Sequence, residues 1–197
     1  KSLLDERIQA YFTQQHLEER GNWKLYSKTI ILFVSLFTVY GFILSIQPPT
    51  WISLVLCGLL GFIQATIGFN VMHDANHGAY SRKEWINTLV SNVMIILGGS
   101  ARNWRIQHNV LHHTYTNVTD HDEDIDPPLF ALRFSPHSEY HSIHRFQHLY
   151  AWFFYGMMTL FWYLTKDYQQ AFRYKKKGLI EAQGVTFGQH MFRIVFF

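Results

Sequence analysis

The sequence predicts an all-α membrane protein, built as a transmembrane helical hairpin with interfacial helices and a cytosolic helical cap that carries clustered histidines. Three observations lead there. Apolar residues gather into long uncharged runs, a Pro-Pro pair separates the first two runs, and most of the twelve histidines and of the charge lie outside the runs. Averaged over the chain these features cancel: 48% hydrophobic residues and a mean hydropathy of −0.05 would describe an ordinary globular protein. The distribution along the chain is what identifies a membrane protein.

Residues 1–28 mix charges with apolar side chains at helical spacing, among them Leu3, Leu4, Ile8, Tyr11 and Phe12. This suits a cytoplasmic amphipathic leader, lying on the membrane surface or simply solvated. Residues 29–46 carry no charge and approach the roughly 20 residues that cross a bilayer. Gln47, Pro48, Pro49 and Thr50 end that helix, because proline cannot donate the next helical hydrogen bond. A second uncharged run, residues 51–72, opens with Trp51, so residues 29–72 form a hairpin. Arg20, Lys24 and Lys28 precede it, and Arg82, Lys83, Arg102 and Arg105 follow it, which places both ends on the cytoplasmic side.

Residues 73–187 then form a cytoplasmic and interfacial region. Within it, 85–101 and 149–165 are apolar stretches flanked by basic residues, and a crossing by either would set charge or histidines on the wrong face. Both are therefore read as interfacial or re-entrant helices. Residues 188–197 are expected to begin a further transmembrane helix that the chain leaves incomplete. The basic residues, with a net charge of +3 and a pI near 9.0, are spread along the flanks of apolar runs rather than gathered in one patch. They mark topology and contacts with membrane lipids, and no nucleic acid partner is expected. The single cysteine, Cys57, excludes a disulfide framework and a thiolate metal site.

Chemistry is carried by two histidine clusters. His73 and His77 are four residues apart at the end of the second run, so a helix sets their rings on one face about one turn apart. His108 and His112 repeat the spacing, and His113 is set roughly 100° from His112 on an α-helix, towards a second ion. One such pair is a common accident of helix composition; two, one of them doubled, form a metal-binding constellation. Imidazole suits Zn, Fe, Cu or Ni, and more histidines are present than one tetrahedral ion uses, which favours two transition-metal ions. His137, His141, His144 and His148 lie in a segment without a repeated cluster and are assigned to a solvated cytoplasmic loop, with one of them held in reserve as a further ligand; His121 sits in the acidic run Asp120, Asp122, Glu123, Asp124 and Asp126, which is read as a solvated loop rather than a metal site.

At these clusters the sequence resembles the membrane fatty acid desaturase family. His73-x-x-x-His77 and His108-x-x-x-His112-His113 look like that family's first two histidine boxes. The wording HDANHGAYS, then HNVLHHTYTN and DHDEDID, looks closest to bacterial acyl-lipid or acyl-CoA desaturases of the front-end and linoleoyl type. The resemblance implies transmembrane helices under a cytosolic histidine-box cap, in a bacterial inner membrane. It further implies two non-haem iron ions held by histidines, dioxygen as co-substrate, a fatty acyl lipid or acyl-CoA as substrate, and a ferredoxin or small haem protein as electron donor. On this basis His73, His77, His108, His112 and His113 are expected iron ligands, with Asp74, Asn76, Asn109 and Asn117 as polar neighbours and Trp104 as a channel wall or interface anchor. The family's third box has no counterpart before Phe197, so the chain is expected to be an N-terminal fragment without a complete di-iron site. Similar histidines would also serve a membrane hydroxylase or ketolase; a bis-histidine haem protein would place its ligands at membrane depth, whereas these boxes follow the span in polar surroundings, and a simple anchor would leave them unexplained.

Overall fold

The computed structural model describes residues 2–127 and 130–196, and every regular element among them is helical. Lys1 and Phe197, the outer ends of the expected leader and of the last span, lie outside the described residues. The chain divides into two compact units, Lys1–Val93 and Met94–Phe197.

In the first unit, α1 (Leu3–Gln14) is started by a reciprocal cap: Asp5 N–H donates to Ser2 Oγ at 3.2 Å and Ser2 N–H to Asp5 Oδ2 at 3.1 Å. No side chain of α1 is buried. The leader is thus helical over only part of its expected length, because Asn22 accepts from Leu25 N–H and starts α2 (Trp23–Ile46) six residues before the uncharged run, taking in Lys24 and Lys28. Gly21 is required at the turn before it: its φ is +59°, and a Cβ there would stand 2.2 Å from Tyr26 Oη. Gln47 ends α2 in the left-handed region at φ 47°, and Pro48 and Pro49 prevent continuation.

The return helix, α3 (Thr50–Asn76), runs past the expected end of the span and carries His73 with it, passing through a π-helical turn at Gly68–Met72. α2 and α3 pack through Leu36, Ile63, Ile67, Val71 and Ala75. At the base of the hairpin, Lys28 Nζ donates to Asn70 Oδ1 at 2.9 Å and Tyr80 Oη to Thr29 Oγ1 at 3.0 Å. Both helices are long and apolar enough to cross a membrane, and the packing buries only 6% and 11% of their apolar windows. Ile31, Val34, Phe37, Leu54, Val55 and Phe62 point outward, an apolar surface far larger than water-exposed faces carry. α4 (Glu84–Ser91) closes the unit. Its Asn87 ties the turn after α3, accepting from Ser81 N–H at 2.8 Å and donating to Ser81 O at 2.8 Å.

The second unit opens on a tight turn at Gly98 and Gly99, so the apolar stretch 85–101 is a short helix followed by a 3-10 turn (Asn92–Leu97). α5 (residues 101–115) is α-helical over Ala101–Arg105, π-helical over Ile106–His112 and ends at His113–Tyr115. After the acidic loop comes a 3-10 turn (Ser142–Phe146). α6 (residues 147–176) follows, π-helical at Trp162–Lys166, and extends the expected interfacial helix into the basic cluster at Arg173 and Lys175. α7 (Phe187–Phe196) lies where the further span was expected to begin. Ile106, Leu111, Tyr174 and Ile180 form the core. A buried polar knot stitches three helices together: Asn103 Nδ2 donates to the Asp167 carbonyl at 2.8 Å, and Asn103 Oδ1 lies 2.7 Å from His190 Nε2.

Two histidines assigned to solvated loops are helical. His148 is in the first turn of α6, and His144 sits in the preceding 3-10 turn, where its Nδ1 accepts from His141 N–H at 3.0 Å and its Nε2 meets the Phe130 carbonyl at 2.8 Å. His144 thereby satisfies a backbone donor at the start of that turn.

Candidate metal centre

Each histidine box lies where an α-helix loosens into a π-helical turn. In the first unit, the turn at Gly68–Met72 is followed by His73–Asn76, and the His73 and His77 rings stand 4.5 Å apart between centroids. Val71, Met72 and Ala75 are buried beside them, which anchors the backbone while the two rings stay accessible. Asp74 Oδ1 lies 3.5 Å from His73 Nδ1, longer than a good hydrogen bond. Asn76 is buried with Nδ2 against the Met72 sulfur. Gly78, at φ +69°, ends the helix one residue after His77, with its N–H on Ala75 O and Ala79 N–H on Asp74 O.

In the second unit the π-turn covers the box itself. Its wider turn brings the fourth residue almost directly above the first and returns the fifth as well. The His108 and His112 rings are accordingly stacked at 5.0 Å and 14°, and His113 stands 4.8 Å from His108. The three rings of this box form one cluster, with His113 standing 5.5 Å from His112. Trp104, one turn earlier, stacks on His108 at 4.4 Å, so it packs directly on the box rather than apart from it.

The acidic run is only partly solvated: Asp120 and Asp126 are exposed, whereas Asp122 is buried. Asp122 is 1% exposed, and both of its oxygens lie 3.0 Å from His112 Nδ1. Asp124 Oδ2 lies 2.9 Å from His108 Nδ1 and 3.5 Å from His112 Nδ1. One potential ligand atom from each of His108, His112 and Asp124 falls within 4.8 Å of the others. Glu123 points elsewhere, to Tyr174 Oη at 2.6 Å and Arg173 Nε at 3.1 Å. Asn117 contributes its backbone N–H, donated to Asp122 Oδ2 at 2.8 Å, while Asn109 lies inside the π-turn that carries His108. No local signal in the sequence distinguishes these aspartates from a solvated loop, since the histidines they meet are ten or more positions away.

The electrostatics favour ligand-ready imidazole. Burial lowers the His108 pKa, and although Asp124 opposes this, the neighbouring His112 and His113 add to the lowering. A neutral ring is the form that binds metal. Burial raises the Asp122 pKa, but the N–H groups of Asn117 and Asp124 and the His112 ring outweigh it and leave the carboxyl below its usual range. Asp122 is a carboxylate at neutral pH, able to hold the N–H of an imidazole.

Residues 49–196 match the fatty acid desaturase family. Among curated proteins, the chain is 37% identical over 159 residues to the sn-1 linoleoyl-lipid 6-desaturase of Arthrospira platensis, covering 81% of this chain and 43% of that protein. It is 38% identical over 168 residues to the sn-1 linoleoyl-lipid 6-desaturase of Synechocystis sp., covering 85% and 46%. An acyl-lipid (8-3)-desaturase of Physcomitrium patens is 26% identical over 161 residues, covering 80% and 33%. The chain thus spans less than half the length of these relatives. No solved structure matches it.

Proposed function

The chain belongs to the fatty acid desaturase family, and on that premise we propose that its full-length protein inserts a cis double bond into a fatty acyl chain at a non-haem di-iron centre. The observation that carries this is the second box, three imidazoles clustered within ring contact, two of them with Nδ1 against carboxylates. His73, His77, His108, His112 and His113 are the proposed iron ligands. The donor set fits iron: imidazole nitrogen with nearby carboxylate and no thiolate is the ligand chemistry of non-haem oxygen-activating sites.

When bound, iron would supply the reducing power that activates dioxygen against an unreactive methylene. With iron bound, two hydrogens would leave adjacent carbons and dioxygen would be reduced to two waters, the remaining two electrons coming from a ferredoxin or small haem protein and two protons from solvent. The chain's own residues lower the pKa of His108 through burial and set carboxylates against the His108 and His112 rings, which fixes their rotation. Trp104, stacked on His108, is the natural wall between box and solvent.

The outward apolar faces of α2 and α3 support a hairpin that crosses a membrane, in bacteria the inner membrane, with both boxes cytoplasmic and with α4 and the apolar half of α6 at the interface. An acyl chain carried on a lipid, rather than on CoA, is the proposed substrate, because the relatives quoted above are named as lipid desaturases. Position six of a linoleoyl chain is the first bond to test.

The test is the fatty acid profile, by gas chromatography and mass spectrometry, of a desaturase-deficient host supplied with linoleate and expressing the full-length gene or its His112→Ala variant. A new cis-unsaturated acid that disappears in the variant is the expected outcome. A hydroxylated product instead would assign the protein to oxygen insertion, and no product despite confirmed expression and donor would remove the enzymatic reading.

A further inference from the structure

Asp122 occupies a costly position. A buried carboxylate must be compensated by donors or a cation, and here the donors are two backbone N–H groups, from Asn117 at 2.8 Å and Asp124 at 2.9 Å, and the His112 ring at 3.0 Å. The loop that supplies them is strained: Asn117 and Asp120 both adopt positive φ, 62° and 69°, which costs of order 1 kcal/mol or more per non-glycine residue. Asp124 is aimed with equal care. Gln170 Nε2 donates to Gln107 Oε1 at 2.6 Å, which fixes the Gln107 amide so that its Nε2 donates to Asp124 Oδ1 at 2.6 Å and leaves Oδ2 towards His108. Between them, Glu123 binds Tyr174 and Arg173 on α6 and pins the loop in place.

We propose that Asp122 and Asp124 are positioning residues for the second histidine box. Each carboxylate holds a ring Nδ1–H, on His112 and His108 respectively, and so selects the tautomer and rotation that assign Nε2 to the metal. Outer carboxylates of this kind orient metal-bound imidazole and raise its basicity. The proposal rests on the reading that the box histidines bind iron. It differs from a role for Asp124 as a direct ligand, which the same distances would permit.

The experiment is an anaerobic ferrous titration of the full-length protein in detergent, with Mössbauer spectra of the bound iron and circular dichroism as a check on folding. Asp124→Asn and Asp122→Asn should bind as many ions as the wild type with the dissociation constant raised about 10–100-fold, and with Mössbauer parameters of an unchanged ligand set. His108→Ala and His112→Ala should each lose bound iron. Wild-type affinity in both Asp variants overturns the positioning role, and loss of an ion with altered Mössbauer parameters in Asp124→Asn makes Asp124 a ligand instead. If Asp122→Asn does not fold, Asp124→Asn decides alone, since its side chain is 26% exposed and tolerates the change. Iron binding that survives His108→Ala and His112→Ala sinks the histidine reading itself, an outcome distinct from failure of the Asp variants alone.

Discussion

Replacing Tyr174 with phenylalanine removes a single oxygen from the middle of the second unit. The hydroxyl donates to Glu123 Oε2 at 2.6 Å, and Tyr174 is fully buried. Burial and the adjacent Glu123 charge push the phenol far above its ordinary range, so it remains a donor at any working pH. Glu123 also meets Arg173 Nε at 3.1 Å and Lys177 Nζ at 3.6 Å, but those side chains are 45% and 44% exposed. Exposed pairs of that kind contribute about 0.2–1 kcal/mol each, whereas a hydrogen bond to a charged group contributes about 1.5–3 kcal/mol. The tyrosine therefore dominates the attachment of the acidic loop to α6. The phenyl ring of the variant fills the same space against Ile106, Leu111 and Ile180, so no cavity cost is added. Tyr174→Phe should destabilise by about 2 kcal/mol, because Arg173 Nη2, 3.2 Å from the same oxygen, retains part of the compensation. The assay is thermal unfolding in detergent, run as a double-mutant cycle with Glu123→Met, where contacting residues couple by about 0.5–3 kcal/mol. A cost below about 0.5 kcal/mol with no coupling would show that the basic residues hold Glu123, contrary to the burial reasoning.

Lys166 gives a pH prediction of definite sign. Burial lowers its pKa from 10.5 to about 8, despite the opposing charges of Asp167, Asp124 and Glu123, and its cation lies 4.3 Å from the Trp162 ring centre. The unfolded chain binds the proton more tightly between those two values, so stability should rise as pH increases from about 8 to 10.5. Below that window the full penalty, on the order of 3 kcal/mol, is present. Lys166→Met should be more stable than the wild type at neutral pH and should lose this slope, measured by unfolding across the window; an unchanged slope would assign it to other groups. Gly78→Ala tests the end of the first box: the nearest atom to an added Cβ is Asn87 Nδ2 at 4.0 Å, so the only cost is the positive φ, about 1–2 kcal/mol. A larger loss in the same unfolding assay would mean that the space around Gly78 is tighter than described.

Much of the helical plan was legible in the sequence because it depends on local composition. Uncharged runs and the Pro48-Pro49 pair specify α2, the turn and α3, and four-residue spacing sets His73 near His77 whatever surrounds them. Helix ends were less legible. Asn22 and Gly78 set boundaries through capping and positive φ, so α2 begins before its uncharged run and α3 ends after it.

What the sequence by itself determined is the apolar hairpin and the presence of two histidine boxes, since both follow from periodicity and residue type along a short stretch of chain. Tertiary structure alone decided the rest of the second box. The π-turn at Ile106–His112 returns His113 to His108, and a backbone hydrogen-bond shift of one residue leaves no compositional trace. Likewise DHDED reads as solvated because a carboxylate's environment is set by what folds over it. Here a strained loop, pinned to α6 through Glu123, buries Asp122 against His112 and turns Asp124 to His108, contacts made across ten and sixteen positions of sequence.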